Sequence, residues 1–356
     1  MNSITKLKEI SNVEQAIDFL KKSKIGNLFT HNVSEISFNG EDLYLFDNEL
    51  GRSKVKGLSL NNDEAYFIVK HLADISGKVF NNLNPILDLS FGNYRLNAIH
   101  ESIAVKMNGG VTSFIIRQIF KGLRIDNNKT RIDSAVENLL SKILESKQSV
   151  IISGVTGSGK TELQKYLVSK LEVNQRIIMI EETYETHIKE LFTHLDINVW
   201  ELKGTLGLNQ QIGELIRAGL RNNPDWLMLA ETRGSETSEL LLTATSGIPI
   251  ITTIHAQSAS NAIERMIQLI GGSSRFKEDY LEKEIANHIH WFVHMTKKQN
   301  KAGKIERKIG QIMVCYVNNS KVIRKIIFDE YANKKYQDLD KIMAARIKIK
   351  EQWYET

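Results

Sequence analysis

A single cysteine among 356 residues rules out an intramolecular disulfide, and no Cys/His cluster has the spacing of a zinc site. That cysteine, Cys315, lies in the apolar run Gln311-Ile-Met-Val-Cys-Tyr-Val-Asn318 and is expected to be a core residue of a strand. Also missing is any apolar run of about 18 residues or more, the length that crosses a bilayer. The start, Met1-Asn-Ser-Ile-Thr-Lys-Leu-Lys-Glu9, lacks the apolar core of a signal peptide, so a soluble, cytosolic chain is expected. There is no tandem repeat, no low-complexity tract, and no interleaved aromatic and basic stripe on which single-stranded nucleic acid would stack. What is present is 42% apolar content over a length that exceeds one average domain, which predicts two domains. The formal charge of +5 is uneven: residues 296–356 carry 15 Lys/Arg against 7 Asp/Glu, leaving the rest near −3. Such a basic tail suits anionic lipid or nucleic acid, or simply a solvated face.

From 35 to 117 the pattern is one of short antiparallel strands. Glu35-Ile-Ser-Phe38 runs into Asn39-Gly40, a pair that favours a two-residue hairpin turn, and Leu43-Tyr-Leu-Phe46 follows. Leu87 to Phe91, the turn Gly92-Asn93 and Tyr94 to Ile99 repeat the design, with Arg95 on the face opposite Tyr94 and Leu96. Ser113 to Arg117 reads as one more strand. Between Lys121 and Asp133 the chain turns polar, as a linker does, which divides it into an α+β unit, 1–128, and a second unit, 129–356. A helix with Val136, Leu139, Leu140 and Ile143 on one face opens the second unit. Apolar strands Val150–Ile152, Ile177–Ile180, Trp226–Ala230 and Ile250–Ile254 then alternate with helices, an α/β order that predicts a parallel sheet. One such helix carries Leu208, Ile212, Leu215, Ile216 and Leu220 on one face, another Ile263, Met266, Ile267 and Ile270. Leu339 to Trp353 reads as a basic amphipathic helix, better packed on its own domain than on a membrane.

The chemistry gathers around Gly154, Val155, Thr156, Gly157, Ser158, Gly159, Lys160 and Thr161, which match G-x-x-x-x-G-K-[ST] between a strand and a helix. Glycines let backbone N–H groups converge on phosphate oxygens, Lys160 places a positive charge at the β/γ position, and Thr161 offers a hydroxyl to Mg²⁺. ATP and Mg²⁺ are the ligands this implies. A carboxylate at the end of a neighbouring strand is then needed for the metal or the attacking water, and Glu231 follows Trp226–Ala230 directly. Asp225, at the other end of that strand, is read as structural. Glu181 and Glu182 end another strand and compete for the same role. His255 ends the Ile250–Ile254 strand, where a γ-phosphate sensor fits. Arg233, Arg217 and Arg221 are candidates to stabilise phosphate charge, within the chain or across a subunit boundary.

Together, Gly154 to Thr161, Ile180-Glu-Glu-Thr183, Arg221-Asn-Asn-Pro-Asp-Trp-Leu-Met-Leu-Ala-Glu-Thr-Arg233 and Thr253-Ile-His-Ala-Gln-Ser-Ala259 resemble, in order, the Walker A, Asp, Walker B and His boxes of the type II/IV secretion ATPase superfamily. Glu35-Ile-Ser-Phe-Asn-Gly40, Asn84-Pro-Ile-Leu-Asp88, Tyr94-Arg-Leu-Asn-Ala-Ile99 and Phe114-Ile-Ile-Arg-Gln118 resemble the amino-terminal domain of its type IV secretion and tight-adherence branch. The resemblance implies a RecA-like domain behind a smaller α+β domain, and a homo-hexamer in which Arg95 and Arg117 reach the nucleotide. It also implies peripheral work at the inner face of the cell membrane with secretion or pilus components; direct nucleic-acid binding is not expected, since no stacking stripe supports it. The region after 285 resembles the family's closing strands. Three departures stand out: Glu181-Glu182 replaces the usual Glu-Asp, Ala230 replaces the common Gly, and Ser246-Gly247-Ile248 lacks a frequent histidine. The paired CxxC module of type II secretion and type IV pilus assembly ATPases is missing too. Two rival readings remain at this point: a RecA-like motor that translocates on nucleic acid, and a nucleotide-gated scaffold without steady turnover.

Overall fold

The computed structural model describes residues 3–106, 109–125, 132–202, 208–271, 277–330, 334–335 and 341–347. The chain forms two compact units, one of residues 1–121 with 299–305, the other of 122–298 with 306–356. The expected boundary at 128/129 lies outside the described residues.

The first unit contains α1 (Ser3–Lys22), β1 (Val33–Phe38), β2 (Leu43–Asp47), β3 (Gly51–Lys54), α2 (Asn62–Ile75), β4 (Ile86–Phe91), β5 (Tyr94–Ile99), β6 (Val105–Lys106), β7 (Gly109–Gly110) and β8 (Ser113–Gln118). Six of the strands form an antiparallel sheet in the order β3-β2-β1-β8-β5-β4. Alternation sends Leu96, Ala98, Phe114 and Ile116 into a core with Ala16 and Leu20 of α1 and Ile68, Val69 and Leu72 of α2. Both helices went unremarked in the sequence. The α2 start is nevertheless written there as a capping box: Glu64 N–H donates to Asn61 Oδ1 at 2.8 Å, and Asn61 N–H to Glu64 Oε2 at 2.9 Å. Such a cap is worth about 1 kcal/mol.

The Gly92-Asn93 hairpin forms as expected, with Phe91 paired to Tyr94 and Gly92 at φ 57°. The first hairpin differs. Phe38 pairs with Leu43, so its loop has four residues. Asn39 spends its side chain on the N–H groups of Glu41 and Asp42, at 3.0 and 2.8 Å, and this side-chain turn replaces the two-residue one.

The second unit contains α3 (Ser134–Glu145), β9 (Val150–Gly154), α4 (Lys160–Val168), β10 (Arg176–Glu181), α5 (Ile188–Leu191), β11 (Asp196–Glu201), α6 (Leu208–Leu220), β12 (Trp226–Thr232), α7 (Glu236–Thr245), β13 (Ile250–Ile254), α8 (Ala259–Gly271), α9 (Glu278–His288), β14 (Trp291–Gln299), β15 (Ile305–Asn318), β16 (Lys321–Asp329), β17 (Lys334–Lys335) and α10 (Lys341–Arg346). Its nine-stranded sheet runs β11-β10-β12-β13-β9-β14-β15-β16-β17, and every pairing from β11 to β14 is parallel. This bears out the expected RecA-like α/β architecture behind an α+β unit. Helices cover both faces, which is why the strands read as continuous apolar runs. Val150, Ile152, Trp226 and Met228 face α3 and α4, while Ile151, Leu227 and Leu229 face α6, α7, α8 and α9. Truncating one of these side chains to alanine costs about 2–5 kcal/mol.

Cys315 is fully buried in β15, as expected. Of the predicted terminal helix, Lys341–Arg346 is helical, while 336–340 and 348–356 lie outside the described residues. Met343, Ala344 and Ile347 are buried, and Arg346 meets His290 Nε2 at 2.7 Å, so this segment packs on its own unit. Burial, with Arg346 and His288 alongside, holds the His290 imidazole down at about 3 and hence neutral, able to accept from the guanidinium.

Candidate functional site

The parallel strands place the ends of β9, β10, β12 and β13 along one sheet edge, where a doubly wound sheet presents its ligand crevice. The loop after β9 is shaped by its glycines. Gly154 has φ 151°, and a Cβ there would sit 2.5 Å from both Met295 O and Ser158 Oγ. Gly157 (φ 70°) and Gly159 (φ 98°) supply the other two left-handed turns that curl the loop, and Gly159 caps α4. The first N–H groups of α4 therefore open onto the loop, a ready anion site. Gln164, buried in α4, locks the helix to the sheet by donating to Leu229 O at 3.0 Å and Ile251 O at 3.3 Å.

Lys160 Nζ folds back on its own loop, donating to Gly154 O at 3.0 Å and Val155 O at 3.2 Å, with His255 Nδ1 at 3.4 Å. Burial lowers its ammonium to about 8, with Arg233 adding to the fall and Glu231 opposing it. Glu231 stands at a break in the β12–β13 register between Leu229 and Thr232, an irregularity that re-aims side chains beside sites. Its Oε2 accepts from Arg233 at 2.8 Å. Its Oε1 lies 2.8 Å from His255 Nε2 without hydrogen-bond alignment, and so is a buried acceptor with no hydrogen bond. Burial pushes the Glu231 carboxyl up, but Arg233, His255 and Lys160 outweigh it and the net shift is down, toward the carboxylate. Burial and Lys160 lower His255 against the pull of Glu231, which favours a neutral ring.

Glu231 does not end the strand next to the phosphate loop, contrary to expectation. β13 is inserted between β9 and β12, so His255 follows the immediate neighbour and lies between Lys160 and Glu231.

The two carboxylates after β10 part ways. Glu181 is fully buried and accepts Thr186 N–H at 3.0 Å, tying down the loop that follows; burial raises its carboxyl to about 7. Glu182 points to solvent and pairs with Arg233 at 2.9 Å, so Arg233 bridges Glu182 and Glu231. Asp225 sits at the far edge, accepting from Lys147 Nζ at 2.7 Å and Arg176 N–H at 3.0 Å. Arg221 directly follows α6 at that same far edge, and Arg217 pairs with Glu239 of α7. Within one chain neither is brought to the phosphate loop. In the first unit, Arg95, Arg117 and Glu35 form one row across β5, β8 and β1, with Arg117 Nε 3.2 Å from Glu35 Oε2.

Three residues near the loop escaped sequence reasoning. His294 of β14 is buried and meets Ser153 Oγ at 2.9 Å, Arg307 Nε of β15 donates to Gly157 O at 2.7 Å, and Lys297 Nζ lies 3.4 Å from where a Gly157 Cβ would stand. Their only signal was a strand pattern more than 130 residues downstream, which does not say that β14 pairs with β9 in the register His294 to Ser153.

The family described as Type II/IV secretion system protein matches residues 111–342. The chain is 28% identical over 317 residues to an uncharacterized Bacillus anthracis protein, covering 85% of this chain and 69% of that one. It is 26% identical over 313 residues to the type IV secretion system protein VirB11 of Bartonella quintana, covering 77% and 87%. Among solved structures, the Legionella pneumophila ATPase DotB aligns with a TM-score of 0.57 at 18% identity, over 90% of this chain and 80% of that one. The pilus retraction motor PilT with bound ADP aligns at 0.53 and 17%, over 87% and 83%. These two establish a shared fold. The family match spans both the phosphate loop and the strands that carry Glu231 and His255, and on that ground the chain belongs to the type II/IV secretion system protein family.

Proposed function

We propose that this chain hydrolyses ATP with Mg²⁺ and works as a homo-hexameric traffic ATPase, powering substrate transfer or the assembly of a secretion or pilus apparatus at the inner face of the cell membrane. One observation carries this reading: Lys160, His255 and Glu231 form an unbroken chain of contacts at the mouth of a glycine-built phosphate loop. The names of the relatives, type IV secretion system proteins and a pilus retraction motor, support the setting.

In this reading Lys160 leaves the Gly154 and Val155 carbonyls for the β- and γ-phosphates, exchanging neutral acceptors for anionic ones. Glu231, held as a carboxylate, takes the role of base or water orienter through its Oε1. His255 senses the γ-phosphate between them. Arg233 is positioned to move from the two glutamates to developing phosphate charge. Glu181, held protonated to about pH 7, positions the loop after β10, and Glu182 neutralises Arg233 in the resting site. Arg95 and Arg117 are further proposed contacts to the nucleotide. For the metal, Thr161 is exposed beside the loop and Glu231 Oε1 is a buried acceptor without a hydrogen bond, a donor set that suits Mg²⁺ held mostly by phosphate and water. Among the described residues no cluster of three or more His, Cys, Asp or Glu could hold a metal alone, so the phosphates must complete the shell. Bound there, the ion would supply neutralisation of phosphate charge.

Steady-state ATPase assays on the full chain test this. Turnover that needs Mg²⁺, is lost in Lys160→Ala, and ignores added DNA or RNA, in a particle sized by light scattering at six subunits, is the expected result. Strong stimulation by nucleic acid would instead make it a nucleic-acid motor, and nucleotide binding with no turnover a gated scaffold.

A further inference from the structure

The phosphate loop has an outer wall that the proposed chemistry leaves unused. β14 lies parallel to β9 with Met295 opposite Gly154, and β15 adjoins β14, so side chains of this pair back the loop. Arg307 reaches from β15 to the loop's tip, 150 residues away in sequence, and its Nε donates to Gly157 O at 2.7 Å. Its stem also lies 3.7 Å from where a Gly159 Cβ would stand. The Lys297 ammonium approaches Gly157 from β14. A half-buried guanidinium that donates to a backbone carbonyl 150 residues away, beside a second cation, needs a reason.

The reason lies in how such a loop binds. A peptide whose N–H faces the phosphate turns its carbonyl the other way, and of the loop's carbonyls only those of Gly154 and Val155 are engaged by Lys160. The Gly157–Ser158 peptide is the one least able to hold that orientation alone, since Gly157 has left-handed backbone and no side chain, and a second glycine follows Ser158. Ser158 N–H already donates to Val155 O at 3.2 Å within the turn, which leaves the Gly157 carbonyl as the free handle of the tip. We propose that Arg307 is the positioning residue of the phosphate loop: it pins the Gly157 carbonyl and so fixes the Val155–Ser158 turn at the tip, which sets the aim of the N–H groups that follow at the start of α4, with Lys297 adding positive field at the same point. The inference rests on the ATP reading above. Arg307 touches no reacting atom in this role, so its loss weakens the cradle for any nucleotide with a β-phosphate.

The test is the affinity of the full-length protein for ADP and for a non-hydrolysable ATP analogue, both with Mg²⁺, by calorimetry, alongside steady-state kinetics. Arg307→Ala is expected to weaken both nucleotides by a similar factor, on the order of tenfold, the size of one charge-assisted hydrogen bond. KM should rise more than kcat falls, and Arg307→Lys should restore part of the affinity. Melting without nucleotide checks the fold; if Arg307→Ala melts early, Arg307→Gln is read in its place. Loss confined to the ATP analogue would overturn the proposal, because it would make Arg307 a direct γ-phosphate contact. Unchanged affinity for both would also overturn it. Lys160→Ala separates the two levels: if turnover survives that change the ATP reading fails, whereas if turnover is lost and Arg307→Ala is silent only the positioning role fails.

Discussion

The six-stranded sheet of the first unit carries Glu35, Arg117 and Arg95 side by side on the face turned away from its core, where water screens them. At the loop edge of the nine-stranded sheet, Lys160, Glu231 and Glu181 are withdrawn from water, and burial heads the causes of each of their shifts. A surface row of charges constrains little, because each group can satisfy itself with solvent. The partly buried Glu231 is neutralised instead by the exposed Arg233, which also pairs with Glu182, and these charges are ones that an incoming phosphate can rearrange.

The largest break in this contrast should come from Glu231→Gln, expected to lower turnover by about 10²–10³-fold while ADP binding survives. Turnover within a few-fold of the parent protein would move the catalytic role to Glu181 or Glu182. Next come two glycines of positive φ, one from each unit. Gly154→Ala places a Cβ 2.5 Å from Met295 O, whereas Gly77→Ala, at φ 67°, meets nothing within 4 Å. The first should lose nucleotide binding and about 3 kcal/mol or more of stability, the second about 1 kcal/mol and no binding. Equal losses in thermal melts would show that backbone strain alone, not the loop's wall, demands glycine.

Glu181→Gln tests the buried carboxyl by pH. Its folded value of about 7 exceeds the ordinary glutamate value of 4.5, so the folded state keeps a proton that the unfolded state releases. The fold therefore loses stability as pH rises from about 4.5 to 7, by up to about 3 kcal/mol, and the loss is complete above that window. The amide variant should escape it, and its melting temperature should overtake that of the parent protein across the same window. A pH-independent difference would sink the assignment. The smallest effect is expected from Arg117→Ala, whose ion pair with exposed surroundings is worth within about 1 kcal/mol. If the ATP KM rises several-fold in that variant with the melt unmoved, Arg117 serves the nucleotide; an unchanged KM leaves it a surface charge.

Much of this was legible in the chain because the signals were local. The continuous apolar runs of β9, β10, β12 and β13 require cover on both faces, and α3 required a core along Val136, Leu139, Leu140 and Ile143. Elsewhere a local cue competed with another. Asn39-Gly40 favoured a two-residue turn, and the Asn39 side chain made a wider one. Glu181 and Glu182 are chemically alike and adjacent, and only the end of β10 separates them: Glu181 closes a strand buried on both faces, and Glu182 stands just past it, partly exposed. α1 and α2 were less legible than the strands around them, although Asn61 and Glu64 spell a capping box at the start of α2.

What the sequence by itself determined was the loop: three glycines at spacings that only left-handed backbone explains, followed by Lys160 and Thr161 at the start of a helix. It also determined that Glu231 and His255 would follow apolar strands, because those strands are short and bounded. Tertiary structure decided which strands are neighbours. It set β13 between β9 and β12, so that His255 mediates between Lys160 and Glu231, and it set β14 and β15 behind the loop, so that Arg307 reaches Gly157. The physical reason is range: backbone sterics and side-chain periodicity act over a few residues, whereas strand order is settled by packing nine strands between two layers of helices at once.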